Sequence, residues 1–183
     1  MGNNIKLKVD IAISNLLEFD QYLLSHDLNE RTIAHKLAVY LQEEFNEYNV
    51  DCEYNKNVEE ESKKKMIYIL EQECQEIKRK FNKDIFVDDI EYMGLSTFPD
   101  IVIHKRGENT SNLLIIEIKK STNSIDRGFD FQKLKCYTDN SRYNNLSYAW
   151  GLFIEFETGK KSPKRPELIW YKDGQIIKVS HYR

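Results

Sequence analysis

Helical spacing of apolar residues marks the first part of the chain. Residues 11–24 carry apolar side chains at roughly helical intervals, and a second, clearer stripe follows after a break at 26–29. The second helix is predicted to take Asn29 as its N-cap and to end near Phe45. Two helices are therefore expected before the first strand.

Runs of apolar residues predict the strands, and one charged stretch predicts an insertion between them. Residues 58–82 mix apolar and charged side chains in a pattern typical of a long, largely exposed helix. The run at 112–119 is almost continuously apolar, which is typical of a central strand. Asp173-Gly174 predicts a two-residue hairpin turn. The predicted strands are 49–55, 89–93, 98–104, 112–119, 146–156, 167–172 and 175–180, and a further helix covers about 128–143.

This order of elements predicts the fold class, a mixed α/β domain with one central sheet flanked by helices. The 183 residues are the length of one domain of ordinary size. We therefore expect a single domain over 1–183, with a helical insertion at about 57–86.

The composition narrows the class of protein. Hydrophobic residues make up 40% and charged residues 31%, which is typical of a folded, soluble domain. No stretch reaches the roughly 18 apolar residues of a membrane span, and the start MGNNIKLKVD lacks the apolar core of a secretory signal. The three cysteines fit neither a disulfide framework nor a zinc site. We expect a cytoplasmic protein without membrane contact.

The net charge of the chain bears on whether nucleic acid is its partner. A formal net charge of -3 argues mildly against nucleic acid, because domains that bind it often carry a basic excess. Basic residues nevertheless cluster at 63–65, 78–80, 104–106 and 160–165. The sequence is compatible with a local basic face and equally with a solvated surface of mixed charge.

The predicted hairpin of strands 98–104 and 112–119 brings chemical groups together. If Lys105 faces Asn112 across its loop, residues whose numbers sum to 217 are partners, and Asp100 lies opposite Glu117. Lys119 points to the same side as Glu117, because strand side chains alternate. Facing carboxylates are destabilising unless a cation lies between them, and Mg²⁺ prefers carboxylate oxygen.

These residues resemble a known signature. The order Pro99-Asp100, a short hairpin, then Glu117-Ile118-Lys119 resembles the motif of the PD-(D/E)XK nuclease superfamily. NERTIAHKLAVYL, VDCEYN, FPDIVIHKRG, NLLIIEIKKS and DFQKLKCY resemble consecutive blocks of its small bacterial members. The resemblance implies a restriction-endonuclease-like fold and metal-dependent hydrolysis of phosphodiester bonds in nucleic acid, with DNA as the expected substrate.

The resemblance also implies roles for single residues. Asp100 and Glu117 would bind Mg²⁺, or Mn²⁺ in its place, and Lys119 would orient or deprotonate the attacking water. Glu30 is the candidate for an extra acidic ligand, with Glu53 as its competitor. A favourable interaction with the helix dipole explains Glu30 equally well. The remaining expected site residues are the carbonyl of Ile118 as a metal ligand, and Gln132, Lys133 and Lys120 as substrate contacts.

Other interpretations stay open. Glu117 and Lys119 could be a surface ion pair on an amphipathic strand, although Ile115 and Val102 make that face partly apolar. The fold could also serve as a catalytically inactive binding module in a defence or toxin-neutralising system. The motif could be accidental in an unrelated domain. A homodimer that pairs the tail strands 167–180 across a twofold axis is compatible with the sequence.

Overall fold

The computed structural model describes residues 2–57, 65–70, 83–87, 90–141, 144 and 146–180. Within these residues the helices are α1 Gly2–Phe19, α2 Gln21–Ser25, α3 Glu30–Glu44 and α4 Gly128–Thr138. The strands are β1 Asn49–Cys52, β2 Met66–Leu70, β3 Lys83–Val87, β4 Ile90–Ser96, β5 Ile101–His104, β6 Leu114–Lys120, β7 Trp150–Phe156, β8 Glu167–Lys172 and β9 Gln175–Ser180. The predicted α/β fold class is confirmed.

A six-stranded sheet in the order β1-β5-β6-β7-β8-β9 forms the centre of the fold. β6 and β7 are parallel, and the other neighbouring pairs are antiparallel. Residues 114–118 of β6 are buried, and the strand lies inside the sheet between β5 and β7. The central place predicted for the apolar run at 112–119 is confirmed, because a strand covered on both faces needs apolar side chains on both.

Alternate residues of the central strands pack into two separate cores, one on each face of the sheet. Ile116 and Leu152 join the core that α1 and α3 cover. Val102, Ile115 and Phe153 join the opposite core, which α4 and the strand β2 cover. Since Glu117 lies two residues after Ile115, it faces the second core.

The insertion between β1 and β5 is a small sheet. The two strands pair with each other, and between them in the chain lie β2, β3 and β4, which form an antiparallel sheet in the order β2-β4-β3. The predicted helix over 58–82 is wrong at 66–70, where the chain forms β2. The predicted helical insertion at about 57–86 is also wrong at 83–86, where the chain forms β3. The other residues of that predicted helix lie outside the described residues. A short apolar run fits a strand as well as a helix, and pairing with β4 decided for the strand.

The N-terminal helices differ from the prediction in their bounds. α1 begins at Gly2, nine residues before the predicted start, and the chain leaves the helix at Asp20 before α2. The N-cap of α3 is as predicted, because the Asn29 side chain accepts a hydrogen bond from the Thr32 backbone N–H at 2.8 Å. None of the helices in the described part of the chain has the length and apolarity that a membrane crossing requires.

The predicted turn at Asp173-Gly174 joins β8 to β9. Both residues have positive φ, 49° for Asp173 and 70° for Gly174, as a type I′ hairpin turn requires. β9 is the outer strand of the sheet, and Ile176, Ile177 and Val179 on it are exposed.

Candidate functional site

The register of β5 and β6 brings the predicted acidic pair together. The observed partners are Ile101 with Ile116, Val102 with Ile115 and Ile103 with Leu114, so each pair sums to 217 as predicted. The same register places Asp100, the residue before β5, opposite Glu117. The Ile118 backbone N–H donates to Asp100 Oδ2 at 2.7 Å and fixes this carboxylate against β6.

Glu117 is the most deeply buried acid of the site, at 1% exposure. Its Oε2 accepts a hydrogen bond from Lys133 Nζ at 2.5 Å. Its Oε1 is buried and has no hydrogen-bond donor among the described residues. Burial raises the pKa of the Glu117 carboxyl, although the Lys133 ammonium opposes the shift. An acceptor oxygen without a donor is costly in a buried place, so this atom suits a cation.

Burial also changes the pKa of the Asp100 carboxyl. Loss of hydration raises its pKa, and the hydrogen bond from the Ile118 N–H and the charges of Lys133 and Lys119 oppose the shift. The nearby Asp130 adds to the increase. Burial therefore outweighs the two lysines at Asp100 and makes the charged form of this carboxyl less favourable than in water.

Asp130, on α4, is a site residue that the sequence did not reveal. It is 4% exposed, and its two oxygens contact two different lysines. Oδ2 lies 3.0 Å from Lys119 Nζ, and Oδ1 lies 2.8 Å from Lys133 Nζ. The only sequence signal was the spacing of Asp130 and Lys133, three residues apart on one helix face.

Lys133 is enclosed by these acids. Burial lowers the pKa of its ammonium, but Glu117 and Asp130 outweigh that effect and raise the pKa overall. The ammonium is therefore charged at neutral pH and neutralises part of the site. Sequence reasoning expected Lys133 to contact substrate, whereas here it contacts the two carboxylates.

The loop between β6 and α4 holds these side chains in place. Arg127 Nε lies 2.8 Å from Glu155 Oε2, and its guanidinium also donates to the carbonyl oxygens of Lys120, Asn123 and Ile125. One side chain thus ties the loop to itself and to the next strand. The start of α4, which follows Arg127, is thereby tied to Lys120 at the end of β6.

Glu30 lies at the edge of the site. Its Oε1 accepts hydrogen bonds from the Lys120 backbone N–H at 3.1 Å and from Asn123 Nδ2 at 2.8 Å. Its Oε2 lies 3.8 Å from Lys119 Nζ. Its competitor Glu53 directs its carboxylate to Arg31 at 2.8 Å, on the surface. Of the two candidates, the structure brings Glu30 to Lys119.

Asp100, Glu117, Lys119, Asp130 and Lys133 form what we call the acid–lysine cluster. Three further expected site residues add no side chain to it. Lys120 Nζ lies 3.0 Å from Asp27 Oδ1, in the connection before α3. Gln132 Nε2 lies 4.0 Å from Cys136 Sγ on its own helix. Ile118 contacts Asp100 through its N–H, and a metal contact of its carbonyl stays a prediction.

The donor set is compatible with a hard divalent cation. Among the described residues, no three His, Cys, Asp or Glu side chains are grouped to hold a metal. Mg²⁺ does not require such a cage, because one or two carboxylates together with water and substrate phosphate are its usual ligands in phosphoryl-transfer sites. Asp100 and Glu117 provide two carboxylates, and Glu117 Oε1 is an acceptor without a donor. The residues therefore fit the ion.

Comparisons with protein-family models, curated proteins and solved structures found no match for this chain. The fold and the site define an α/β domain with a buried cluster of carboxylates and lysines where β5 begins and β6 ends.

Proposed function

We propose that this chain is a metal-dependent phosphodiesterase of the PD-(D/E)XK nuclease kind, with a restriction-endonuclease-like fold and nucleic acid, expected to be DNA, as its substrate. The observation that carries the proposal is Asp100 opposite Glu117, with Lys119 on the same face of β6. Two carboxylates that face each other in a partly apolar core are unfavourable without a cation. Binding of a metal cation by Asp100 and Glu117 explains why the two carboxylates face each other.

Asp100 and Glu117 would hold Mg²⁺ or Mn²⁺. Glu30 and the carbonyl of Ile118 are the further ligands that the family resemblance implies. When bound, the metal supplies positive charge to a phosphate oxygen and makes a water molecule more acidic.

Lys119 is the catalytic cation of the proposal. Asp130 Oδ2 lies 3.0 Å from its ammonium, and Glu30 Oε2 lies 3.8 Å from it. From there Lys119 orients the attacking water and offsets the charge that develops on the phosphate. In the reaction the water oxygen bonds to phosphorus and loses a proton, while the bond to the leaving oxygen breaks and that oxygen gains a proton.

A lysine-containing loop near the edge of the sheet where β6 ends supports a nucleic-acid partner. Since β6 and β7 are parallel, the segments after both strands leave at one edge. Thr122 Oγ1, after β6, lies 3.1 Å from Thr158 Oγ1, after β7. The exposed lysines that follow in this second segment are Lys160, Lys161 and Lys164. Lys160 forms an ion pair with Glu157, and Lys161 and Lys164 can contact phosphates outside the acid–lysine cluster.

The test is cleavage of end-labelled single- and double-stranded DNA and RNA with Mg²⁺, Mn²⁺ or EDTA. The proteins compared are the wild type, Lys119→Ala, Asp100→Asn and the control Lys172→Ala, whose exposed side chain lies at the end of β8, on the opposite side of the sheet. We expect metal-dependent cleavage that falls by about a hundredfold or more in the two site variants and is unchanged in the control.

Two results would contradict the proposal. Equal cleavage by all four proteins would identify a contaminating nuclease. Absence of cleavage of all four substrates would refute the assigned activity and favour the second candidate, a catalytically inactive nuclease-fold binding module. The observation that favours this candidate is the Lys133 ammonium beside Glu117, which neutralises the acid without a metal.

A further inference from the structure

Lys133 places a positive charge beside Oε2 of Glu117, one of the two oxygens that a metal held by this carboxylate would contact. Its Nζ is 2.5 Å from Glu117 Oε2, and its side chain is only 9% exposed. An ammonium and a divalent cation cannot share one carboxylate oxygen at such distances in a poorly hydrated place, because like charges repel strongly there. The two cations therefore compete for Oε2 of Glu117 when the metal takes both oxygens of this carboxylate.

Asp130 provides a second place for the same ammonium. Its Oδ1 lies 2.8 Å from Lys133 Nζ, while Oδ2 contacts Lys119 at 3.0 Å. Lys133 can consequently leave Glu117 and remain paired with a carboxylate. The flexible four-carbon stem and rotatable ammonium of lysine allow such a change without a move of the helix.

We propose that Lys133 is a positioning residue that exchanges with the metal: its ammonium holds Glu117 in place until a divalent cation displaces it, and Asp130 then retains it. This inference rests on the proposed function, because it assumes that Glu117 is a metal ligand. In this exchange Asp130 binds the displaced Lys133 ammonium and is not itself a metal ligand. The exchange also gives Lys133 a route to the substrate role expected from the sequence, since the displaced ammonium stays beside the metal.

The buried state of Glu117 distinguishes this exchange from a plain surface ion pair. The carboxylate is 1% exposed, and its Oε1 has no donor among the described residues. Lys133 therefore satisfies only one of the two oxygens. A metal that bound both oxygens would displace Lys133 from Oε2 and would also contact Oε1, which the lysine leaves without a donor.

The test measures metal binding directly. Full-length protein is stripped with a chelator and titrated with Mn²⁺ by calorimetry at fixed pH and ionic strength, without nucleic acid. The variants are Lys133→Met, which keeps the length of the side chain without its charge, and Lys133→Gln, which keeps a donor for Glu117. The control is Lys135→Met, an exposed lysine on the same helix. Glu117→Gln removes the proposed ligand.

We expect Lys133→Met and Lys133→Gln to bind Mn²⁺ at least about tenfold more tightly than the wild type. Lys135→Met should match the wild type, and Glu117→Gln should lose binding. A merely structural role for Lys133 would weaken metal binding in its variants. If one variant does not fold, the other gives the same comparison.

Two outcomes overturn the inference in different ways. Unchanged or weaker Mn²⁺ binding in the Lys133 variants, with binding lost in Glu117→Gln, would refute the exchange and leave the metal site intact. Absence of saturable Mn²⁺ binding in the wild type and in the Lys133 variants would refute the exchange together with the metal site of the proposed function.

Discussion

Removing the Asp130 carboxylate tests the geometry of the cluster without reference to activity. Asp130 makes one charged contact at 3.0 Å and another at 2.8 Å, and each such hydrogen bond contributes about 1.5–3 kcal/mol. After Asp130→Ala, Lys119 keeps Glu30 at 3.8 Å and Lys133 keeps Glu117. The loss should therefore lie at the low end of the sum, about 3 kcal/mol of unfolding free energy.

Asp130→Asn should cost about half as much, because its side-chain oxygen can still accept from one of the two lysines. The assay is equilibrium urea unfolding in EDTA at pH 7, where about 3 kcal/mol lowers the midpoint by roughly 1 M. Glu47→Gln, which removes an exposed carboxylate, is the control and should stay within about 0.5 kcal/mol of the wild type. A cost of Asp130→Ala as small as the control's would refute the buried pairing with the two lysines.

Three further changes test other parts of the fold. Burial lowers the Lys65 pKa from 10.5 to about 8, so the buried charge costs stability below pH 8 and the cost fades between pH 8 and 10.5. In urea unfolding, the unfolding free energy of Lys65→Met should thus exceed that of the wild type by up to about 3 kcal/mol at pH 7 and approach it near pH 10. A difference independent of pH would count against this pKa. Gly174→Ala should cost about 1 kcal/mol, because its φ of 70° disfavours a Cβ, and an unchanged melting temperature would argue against the type I′ turn. Asn29→Ala should cost about 1 kcal/mol in chemical denaturation through loss of the cap on the Thr32 N–H, whereas equal stability would mean that the cap contributes nothing.

Local patterns fixed much of the central sheet. The pairing of Asp100 with Glu117 followed from the length of one hairpin loop, because the register of two antiparallel strands is set where they turn. The turn at Asp173-Gly174 and the cap at Asn29 depend on the conformational preferences of those residues and their neighbours, so they too could be predicted. The catalytic, metal-binding and substrate-binding roles of the predicted site residues stay predictions.

Elements without a unique periodicity were harder to predict. The run Met66–Leu70 is apolar and short, so it fits a strand and a buried helical turn alike. What makes it a strand is pairing with β4, more than twenty residues later in the chain. The early start of α1 was missed for a related reason, because its polar first residues hide the buried Ile5 and Val9.

By itself, the sequence determined which strand is central, how β5 and β6 are aligned, and that Glu117 and Lys119 share a face, because loop length and side-chain alternation act between residues close in the chain. Only the tertiary structure decided which cations surround those acids. The Lys133 ammonium reaches Glu117, and Asp130 reaches Lys119, because α4 packs across the end of β6. No local rule states where a helix will lie on a sheet, so packing alone added Asp130 to the site and gave Lys133, expected there as a substrate contact, its carboxylate partners.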